Sequence, residues 1–186
     1  MQRLALVVLL SWPLPSPAGE VTRADVQYDN GRYTLDFTVE LAAQLAAVYA
    51  IVTDFDRIDR VSPSVIESKR LPNPDASDPS LERRKLVTRT CILIYCLNAT
   101  MVEDVRRTSA DVISTTMVPE FSDFRSGHGE WRLSEPRRGW SRIELHTELE
   151  PGFWVPPLIG PWLIKRQMLN EARATARQIE KLAAAG

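Results

Sequence analysis

Hydrophobic and polar positions along the chain predict a β-sheet protein that ends in one long helix. From Tyr33 to Val39 every second residue is apolar, which is the pattern of a strand with one buried face. The preceding Asp29-Asn30-Gly31 favours a tight turn, so a hairpin is predicted here. Further strands are predicted over residues 65–71, 81–107, 110–118, 129–133 and 141–149.

The spacing of apolar residues becomes helical in two places. A short helix is predicted after Ala42, and a long amphipathic helix is predicted beyond Pro161. The apolar face of the long helix is formed by Ile164, Met168, Ala172, Thr175, Ile179 and Leu182. The charged residues between them are predicted to face away from the sheet: Lys165, Arg166, Glu171, Arg173, Arg177 and Glu180.

A sheet and an amphipathic helix bury their apolar faces by packing against each other. We therefore predict an α+β fold in which a curved antiparallel β-sheet wraps around the C-terminal helix. A gap between the concave sheet and the helix would be apolar, and apolar gaps of this kind bind small molecules.

Residues 1–18 have the composition of a signal peptide. Arg3 precedes an unbroken apolar run over residues 4–10, and Ser16-Pro17-Ala18 supplies small residues for a signal peptidase. The run is far shorter than the ~20 residues that span a bilayer. We predict cleavage after Ala18, a single domain over residues 19–186, and export to the periplasm or outside the cell. The alternative is a disordered tail with a chance apolar run.

The charge balance excludes one class of partner. The 186 residues include 23 basic and 24 acidic side chains, for a formal net charge of -1. Proteins that bind nucleic acids carry clustered basic surface, so no nucleic-acid partner is predicted. The two histidines and two cysteines do not form a metal-ligand set at the usual spacing, and no metal or cofactor is predicted.

Cys91 and Cys96 lie within the predicted strand region 81–107. In one straight strand, at about 3.3 Å per residue, their sulfurs would be too far apart to bond. If residues 92–95 form a hairpin loop, the two cysteines face each other. The same register forms favourable cross-strand pairs: Arg83 with Asp104, Arg84 with Glu103, and Leu86 with Met101. We favour a hairpin with a disulfide, which suits an exported protein; two reduced cysteines in a continuous strand are the alternative.

The tip of this hairpin is the apolar sequence Ile92-Leu93-Ile94-Tyr95. An exposed apolar tip usually contacts a membrane, a protein partner or a hydrophobic ligand. The alternative is that the tip folds against the body of the domain.

Residues 119–131 combine aromatic, ionic and glycine positions, and they supply candidate ligand-binding residues: Asp123, Phe124, Arg125, His128 and Trp131. Asp123 and Arg125 can pair and orient the polar end of a ligand, and His128 can titrate near neutral pH. The alternative is a loop with a structural Asp–Arg pair and an exposed histidine.

Residues 151–162 form the most apolar and proline-rich segment after the signal peptide. Phe153 and Trp154 are predicted to be buried aromatics that close one end of the cavity, and Pro161 suits the first turn of the long helix. The alternative is a loop that caps the core.

Three blocks of the sequence resemble the START-like (SRPBCC) superfamily. They are residues 47–55 leading to Ser62-Pro63, Ser-Asp-Phe-Arg-Ser-Gly at 122–127 followed by Trp131, and Phe-Trp-Val-Pro-Pro at 153–157. Within the superfamily the chain is similar to the polyketide cyclase/dehydrase and lipid-transport group, near the coenzyme Q-binding proteins, in an exported branch. The cysteine-flanked segment departs from the coenzyme Q-binding pattern.

The resemblance extends over about residues 26–182. It implies the helix-grip fold and a deep apolar cavity for a lipid, a quinone, a sterol or a polyketide-like molecule. It supplies no catalytic residues, because members of this fold range from carriers to cyclases.

Three functions follow as hypotheses. The first is an exported carrier for a hydrophobic small molecule, with Asp123, Arg125 and His128 orienting its polar end. The second is a cyclase- or dehydratase-type enzyme, in which His128 or an aspartate of the same cavity performs acid–base chemistry. The third is an interaction protein whose residues 92–95 dock on a membrane or a periplasmic partner.

Overall fold

A computed structural model describes residues 19–92 and 95–185 of the chain. The predicted signal peptide, residues 1–18, lies outside the described residues. Within those ranges, no helix is both long enough and apolar enough to cross a membrane.

The described strands form one curved antiparallel sheet of eight strands. The strands are β1 (Glu20–Asp29), β2 (Arg32–Leu41), β3 (Val65–Leu71), β4 (Leu81–Ile92), β5 (Tyr95–Arg107), β6 (Val112–Met117), β7 (Phe124–Arg137) and β8 (Trp140–Pro151). Their order is β1-β2-β8-β7-β6-β5-β4-β3, so every neighbouring pair except β2 and β8 is consecutive in the chain.

Two α-helices complete the fold. Helix α1 spans Leu45–Val52 and helix α2 spans Gly160–Ala185, with Pro161 in its first turn as predicted. Short 3₁₀ helices lie at Ile58–Arg60 and Pro119–Phe121. Helix α2 packs against β1, β2 and α1, which confirms the predicted α+β fold with a curved sheet around a long C-terminal helix.

The β1–β2 hairpin turns at Asn30 and Gly31, as the sequence predicts. Both residues have positive φ, 48° and 92°, which asparagine and glycine tolerate and which suits a two-residue hairpin turn. Asp29 pairs with Arg32 across the turn. This register directs the alternating apolar residues of β2 to the interior. Four of them are buried: Tyr33, Leu35, Phe37 and Val39.

The β4–β5 hairpin has the register that its charged residues predict. Cys91 pairs with Cys96, and the predicted cross-strand pairs above them are all present. A disulfide joins the two cysteines. Leu93 and Ile94, and the side chains of Ile92 and Tyr95, lie outside the described part of the molecule, so a contact role for residues 92–95 stays a prediction.

Strand β7 is longer than the predicted strand at 129–133. It begins at Phe124, and its connection to β8 shrinks to Arg138-Gly139. Gly129 lies within this strand. A Cβ at this position would lie 2.6 Å from the Oγ1 atom of Thr115 on the neighbouring strand β6. This glycine therefore serves packing within the sheet rather than a loop.

Glu180 connects three separate parts of the fold. One of its carboxylate oxygens accepts the backbone N–H of Gly19 at 2.8 Å, and the other accepts that of Ala42 at 3.1 Å. The prediction that Glu180 faces away is wrong, because the start of β1 and the segment before α1 cover this flank of α2. Helix α2 is thereby fixed to the sheet near its C-terminal end.

Replacing Glu180 by glutamine should destabilise the fold. The amide retains one acceptor oxygen but presents a donor to the second backbone N–H, and hydrogen bonds to charged groups contribute about 1.5–3 kcal/mol. We expect urea unfolding to give a free energy of unfolding lower by about 1–2 kcal/mol. The exposed neighbour Arg177→Gln is the control and should change it by less than about 0.5 kcal/mol. Equal losses in both variants would contradict the anchoring role of Glu180.

Candidate functional site

A cavity of about 270 Å³ lies between the concave sheet and the middle of α2. Its floor is formed by side chains of the central strands, and its roof by Met168, Ala172 and Thr175 of α2. The segment between α1 and β3, residues 55–65, forms a third wall. Most of the lining side chains are apolar, so the predicted apolar gap is present.

Strand alternation decides which side chains reach the cavity. On β7, Gly129 and Trp131 face it, while the residues between and beside them point to the outer face. On β8, Ile143 and Leu145 face it in the same way. Because the sheet presents mainly aliphatic side chains and one glycine at this point, the floor of the cavity is apolar.

Arg84 and Glu103 form a buried ion pair in the wall of the cavity. Arg84 Nε and Nη2 donate to Glu103 Oε2 at 2.9 and 2.8 Å, and each residue is only 9% exposed. The guanidinium carbon lies 5.1 Å from the centre of the Phe55 ring, a cation–π contact. Since the two charges neutralise each other, the pair presents polar atoms to the cavity without a net charge.

A second ion pair of the same hairpin lies on the opposite face. Arg83 Nε and Nη2 donate to Asp104 at 2.6 and 2.8 Å, and neither residue lines the cavity. These hydrogen bonds raise the pKa of the Arg83 guanidinium above its ordinary value. Both pairs join an arginine to a carboxylate, but Arg84–Glu103 is buried and Arg83–Asp104 is partly exposed.

Glu171 joins α2 to the segment that precedes β3. Its Oε1 accepts a hydrogen bond from the Ser62 hydroxyl and another from the Ser64 backbone N–H at 3.2 Å. All three residues line the cavity. The prediction that Glu171 faces away from the sheet is wrong, because residues 62–64 fold over this flank of the helix and supply donors.

Of the predicted ligand-binding residues, Trp131 lines the cavity. Asp123 accepts the backbone N–H of Thr100 at 2.7 Å, and Arg125 lies 3.6 Å from Glu150 rather than against Asp123. Four further predicted ligand-binding residues do not line the cavity: Phe124, His128, Phe153 and Trp154. The strand alternation that directs Trp131 inward directs His128 to the exposed outer face.

Phe153 and Trp154 differ in burial. The Phe153 ring meets the Phe124 ring edge-to-face, with 5.7 Å between their centres, and it is half-buried. Trp154 is 79% exposed, so the prediction that it is a buried aromatic is wrong. Trp154 lies in the connection between the end of β8 at Pro151 and the start of α2 at Gly160.

The polar groups of the cavity were not predicted as site residues. The sequence pairs Arg84 with Glu103, but the pairing alone does not say which face of the hairpin is buried. The apolar pair Leu86–Met101 lies on the same face and is the signal that assigns the ion pair to the interior. In the described ranges, histidine, cysteine and carboxylate side chains form no group of three that could hold a metal ion.

Comparison with protein families matches residues 32–184 to the family described as polyketide cyclase / dehydrase and lipid transport. The chain belongs to this family. The matched region contains the whole floor of the cavity and nearly all of α2. No curated protein matches the sequence.

Solved structures with the same fold include proteins of different kinds. A START superfamily protein from Mycobacterium smegmatis is 18% identical, with a TM-score of 0.64, and 82% of this chain and 97% of that chain are covered. A STAR-related lipid transfer protein from Xanthomonas axonopodis is 15% identical, with a TM-score of 0.61 and coverage of 87% and 98%.

The Zhui aromatase/cyclase from Streptomyces sp. R1128 is 12% identical, with a TM-score of 0.58 and coverage of 83% and 92%. At these identities the likeness concerns the fold. This member of the cyclase/dehydrase and lipid transport family therefore shares its architecture with proteins named for lipid transfer and with proteins named for cyclisation.

The two ion pairs of the β4–β5 hairpin allow a matched test of burial. Arg84→Met leaves Glu103 as an unpaired buried charge, and we expect the free energy of unfolding to fall by about 3–5 kcal/mol. Arg83→Met removes a partly exposed pair and should cost about 0–1 kcal/mol. Urea unfolding measures both. Similar losses in the two variants would contradict the interior position of Arg84.

The double variant Arg84→Met/Glu103→Leu separates the charge from the packing. It removes both charges, so we expect it to recover most of the stability that Arg84→Met loses. A double variant as unstable as the single one would indicate that side-chain packing, rather than an unpaired carboxylate, explains the loss.

Proposed function

We propose that this protein is an exported carrier that holds a hydrophobic small molecule in the cavity between the sheet and α2. The observation that carries the proposal is a mainly apolar cavity. Among the described residues, its charged lining groups are Arg84, Glu103 and Glu171, and each is hydrogen-bonded to another residue that lines the cavity. Binding is driven by transfer of apolar ligand surface out of water, at roughly 25 cal/mol per Å² before the costs of association. The family description and the names of its structural relatives support a lipid or a polyketide-like molecule as the ligand, and the resemblance of the sequence adds a quinone or a sterol.

The size of the cavity favours a compact ligand. Its volume of about 270 Å³ lies just below the range of roughly 300–1,000 Å³ that is usual for ligand pockets. A single ring system or a single chain suits this volume better than a lipid with two long acyl chains.

The polar groups favour a neutral ligand with a hydroxyl or carbonyl group. Arg84 and Glu103 neutralise each other, so a charged ligand group would have to compete with an ion pair that is already formed. A neutral polar group can accept from the guanidinium or donate to the carboxylate while leaving the pair intact. The Arg84–Glu103 pair thus takes the orienting role that the sequence assigns to Asp123, Arg125 and His128.

A cyclase- or dehydratase-type enzyme is the second candidate. Glu171 favours it, because its carboxylate lies in the cavity wall and can exchange a proton with a bound molecule. Glu171 replaces His128 as the acid–base candidate, since His128 lies on the outer face of β7. Docking through residues 92–95 stays a third hypothesis.

Export is supported by the surroundings of Gly19, the first residue after the predicted cleavage position. Its backbone nitrogen lies 2.8 Å from a carboxylate oxygen of Glu180. A Cβ at this position would lie 2.7 Å from the Leu41 side chain and 2.9 Å from the Glu40 carbonyl oxygen, so glycine fits where larger residues would not. After cleavage this nitrogen is an ammonium group, which strengthens the contact with Glu180. The Cys91–Cys96 disulfide suits an oxidising compartment.

Filling the cavity should block ligand binding. Ala172→Phe places a phenyl ring in the cavity, and we expect it to weaken binding of the neutral fluorescent probe N-phenylnaphthylamine by about tenfold or more. The control Ala174→Phe adds the same ring two positions along α2, outside the lining, and should leave binding unchanged. Circular dichroism checks that both variants are folded. Equal probe binding by both would place the ligand elsewhere.

Ala172→Phe and Glu171→Gln together distinguish a carrier from an enzyme. Native mass spectrometry of the wild-type protein from its own host should show a bound small molecule that Ala172→Phe lacks. Under the carrier proposal this molecule is recovered unchanged after incubation with the protein. If the molecule is converted to a new product, and Glu171→Gln abolishes this conversion, the protein is an enzyme rather than a carrier.

Export can be tested on the processed protein. Expression of the full chain in a host with a general secretion pathway should yield, outside the cytoplasm, a polypeptide that begins at Gly19. N-terminal sequencing and intact mass measure this, and the mass also reports the oxidised cysteines. A chain that stays in the cytoplasm with residues 1–18 attached would overturn the proposal.

A further inference from the structure

The segment between β8 and α2 exposes a group of large apolar side chains. We call residues 154–162 the apolar strap. Within it Trp154 is 79% exposed, Leu158 94%, and Ile159 and Trp162 58% each. Large apolar side chains grouped in this way on a surface mark a site of contact with a membrane or a partner.

The backbone holds these side chains outward. Gly160 N–H donates to the Pro156 carbonyl at 2.8 Å, and Leu163 N–H donates to the Ile159 carbonyl at 3.0 Å, so the strap turns directly into α2. Gly160 is buried and packs so tightly on Val155 that a Cβ would lie 2.2 Å from its side chain. The turn into α2 is therefore closely packed at Gly160 and Val155, while Leu158 and its exposed neighbours face solvent.

Between Glu150 and Glu171 the only charged residues of the chain are basic. No acidic residue occurs between Glu150 and Glu171, whereas Lys165 and Arg166 follow the strap on α2. The Arg166 guanidinium lies over the Trp162 ring, 5.4 Å from its centre. Glu171 itself is hydrogen-bonded to Ser62 and Ser64, away from the strap.

We propose that the apolar strap docks on a lipid bilayer that carries anionic headgroups. Tryptophan is favoured at the boundary between headgroups and acyl chains, where the ring is buried and the indole N–H stays hydrated. Leu158 and Ile159 lie between the two tryptophans and enter the acyl region. Lys165 and Arg166 lie one turn further along α2, where they meet the headgroup phosphates.

The position of the strap connects docking with the cavity. Leu149 and Met168, which precede and follow the strap in the chain, both line the cavity. Docking through the strap therefore brings this end of the cavity to the membrane surface, where a hydrophobic ligand can pass between bilayer and protein without crossing water. This step alone rests on the carrier function proposed above; the docking itself does not.

Vesicle flotation tests the docking. The wild-type protein, processed or expressed as residues 19–186, should float with vesicles of phosphatidylcholine mixed with phosphatidylglycerol, and its tryptophan fluorescence should shift to the blue. The double variant Leu158→Ser/Ile159→Ser should lower the vesicle partition coefficient by about tenfold or more, because it removes the inserting side chains. Ile66→Ser, at an exposed isoleucine of β3, is the matched control and should bind like the wild type.

A second pair of measurements tests the charge. Lys165→Gln and Arg166→Gln should each lower partitioning into the mixed vesicles by about fivefold, the effect of about 1 kcal/mol per basic residue near an anionic surface. Neither should matter on vesicles of phosphatidylcholine alone.

Three results would overturn the proposal. One is the absence of flotation with either vesicle; another is equal loss in the strap variant and in Ile66→Ser. The third is a dimer, measured by light scattering, that Leu158→Ser/Ile159→Ser dissociates without any vesicle binding, which would assign the strap to contact between copies of the chain. A protein that floats but does not bind N-phenylnaphthylamine would keep the docking and remove the carrier function, and the reverse result would remove only the docking.

Discussion

The site depends on how one long helix lies across a curved sheet. Near its C-terminal end α2 is fixed to the fold, because Glu180 accepts hydrogen bonds from the backbone of two other segments. The buried Ile179 lines the cavity there, and Met168 and Ala172 line it two to three turns earlier in the helix. The same face of α2 therefore packs against the sheet and forms the roof of the cavity.

Two polar contacts lie in the wall of the cavity. Glu171 joins α2 to residues 62–64, and Arg84 pairs with Glu103. A charge removed from water needs compensating contacts: the buried Glu103 is paired with Arg84, and the half-buried Glu171 accepts hydrogen bonds from Ser62 and Ser64. Most of the other lining side chains are apolar, so an apolar occupant gains dispersion contacts with them.

Much of the fold could be predicted because it is determined by local patterns. The alternation in β2, the turn at Asn30-Gly31 and the helical spacing after Pro161 each need only neighbouring residues to be recognised. The β4–β5 register was also predictable, since a disulfide and two ion pairs form only when Cys91 faces Cys96. The start of β7 was missed because its glycines suggest a loop, whereas they make room for the side chains of β6.

The site was harder to predict because it depends on which surfaces meet. Helical spacing places Glu171 on the charged side of α2, and nothing near it in the chain indicates that residues 62–64 cover that side. The two ion pairs of the β4–β5 hairpin show the same difficulty. Arg83 and Arg84 are neighbours in one strand and have the same side chain, yet Arg84 is buried and Arg83 is partly exposed. Because Arg83 and Arg84 are successive residues of one strand, their side chains lie on opposite faces of the sheet. The apolar pair Leu86–Met101, two positions along from Arg84, indicates which of the two faces is buried. A charged pair next to an apolar pair on one face of a hairpin is therefore the pattern that indicates a polar group inside a hydrophobic cavity.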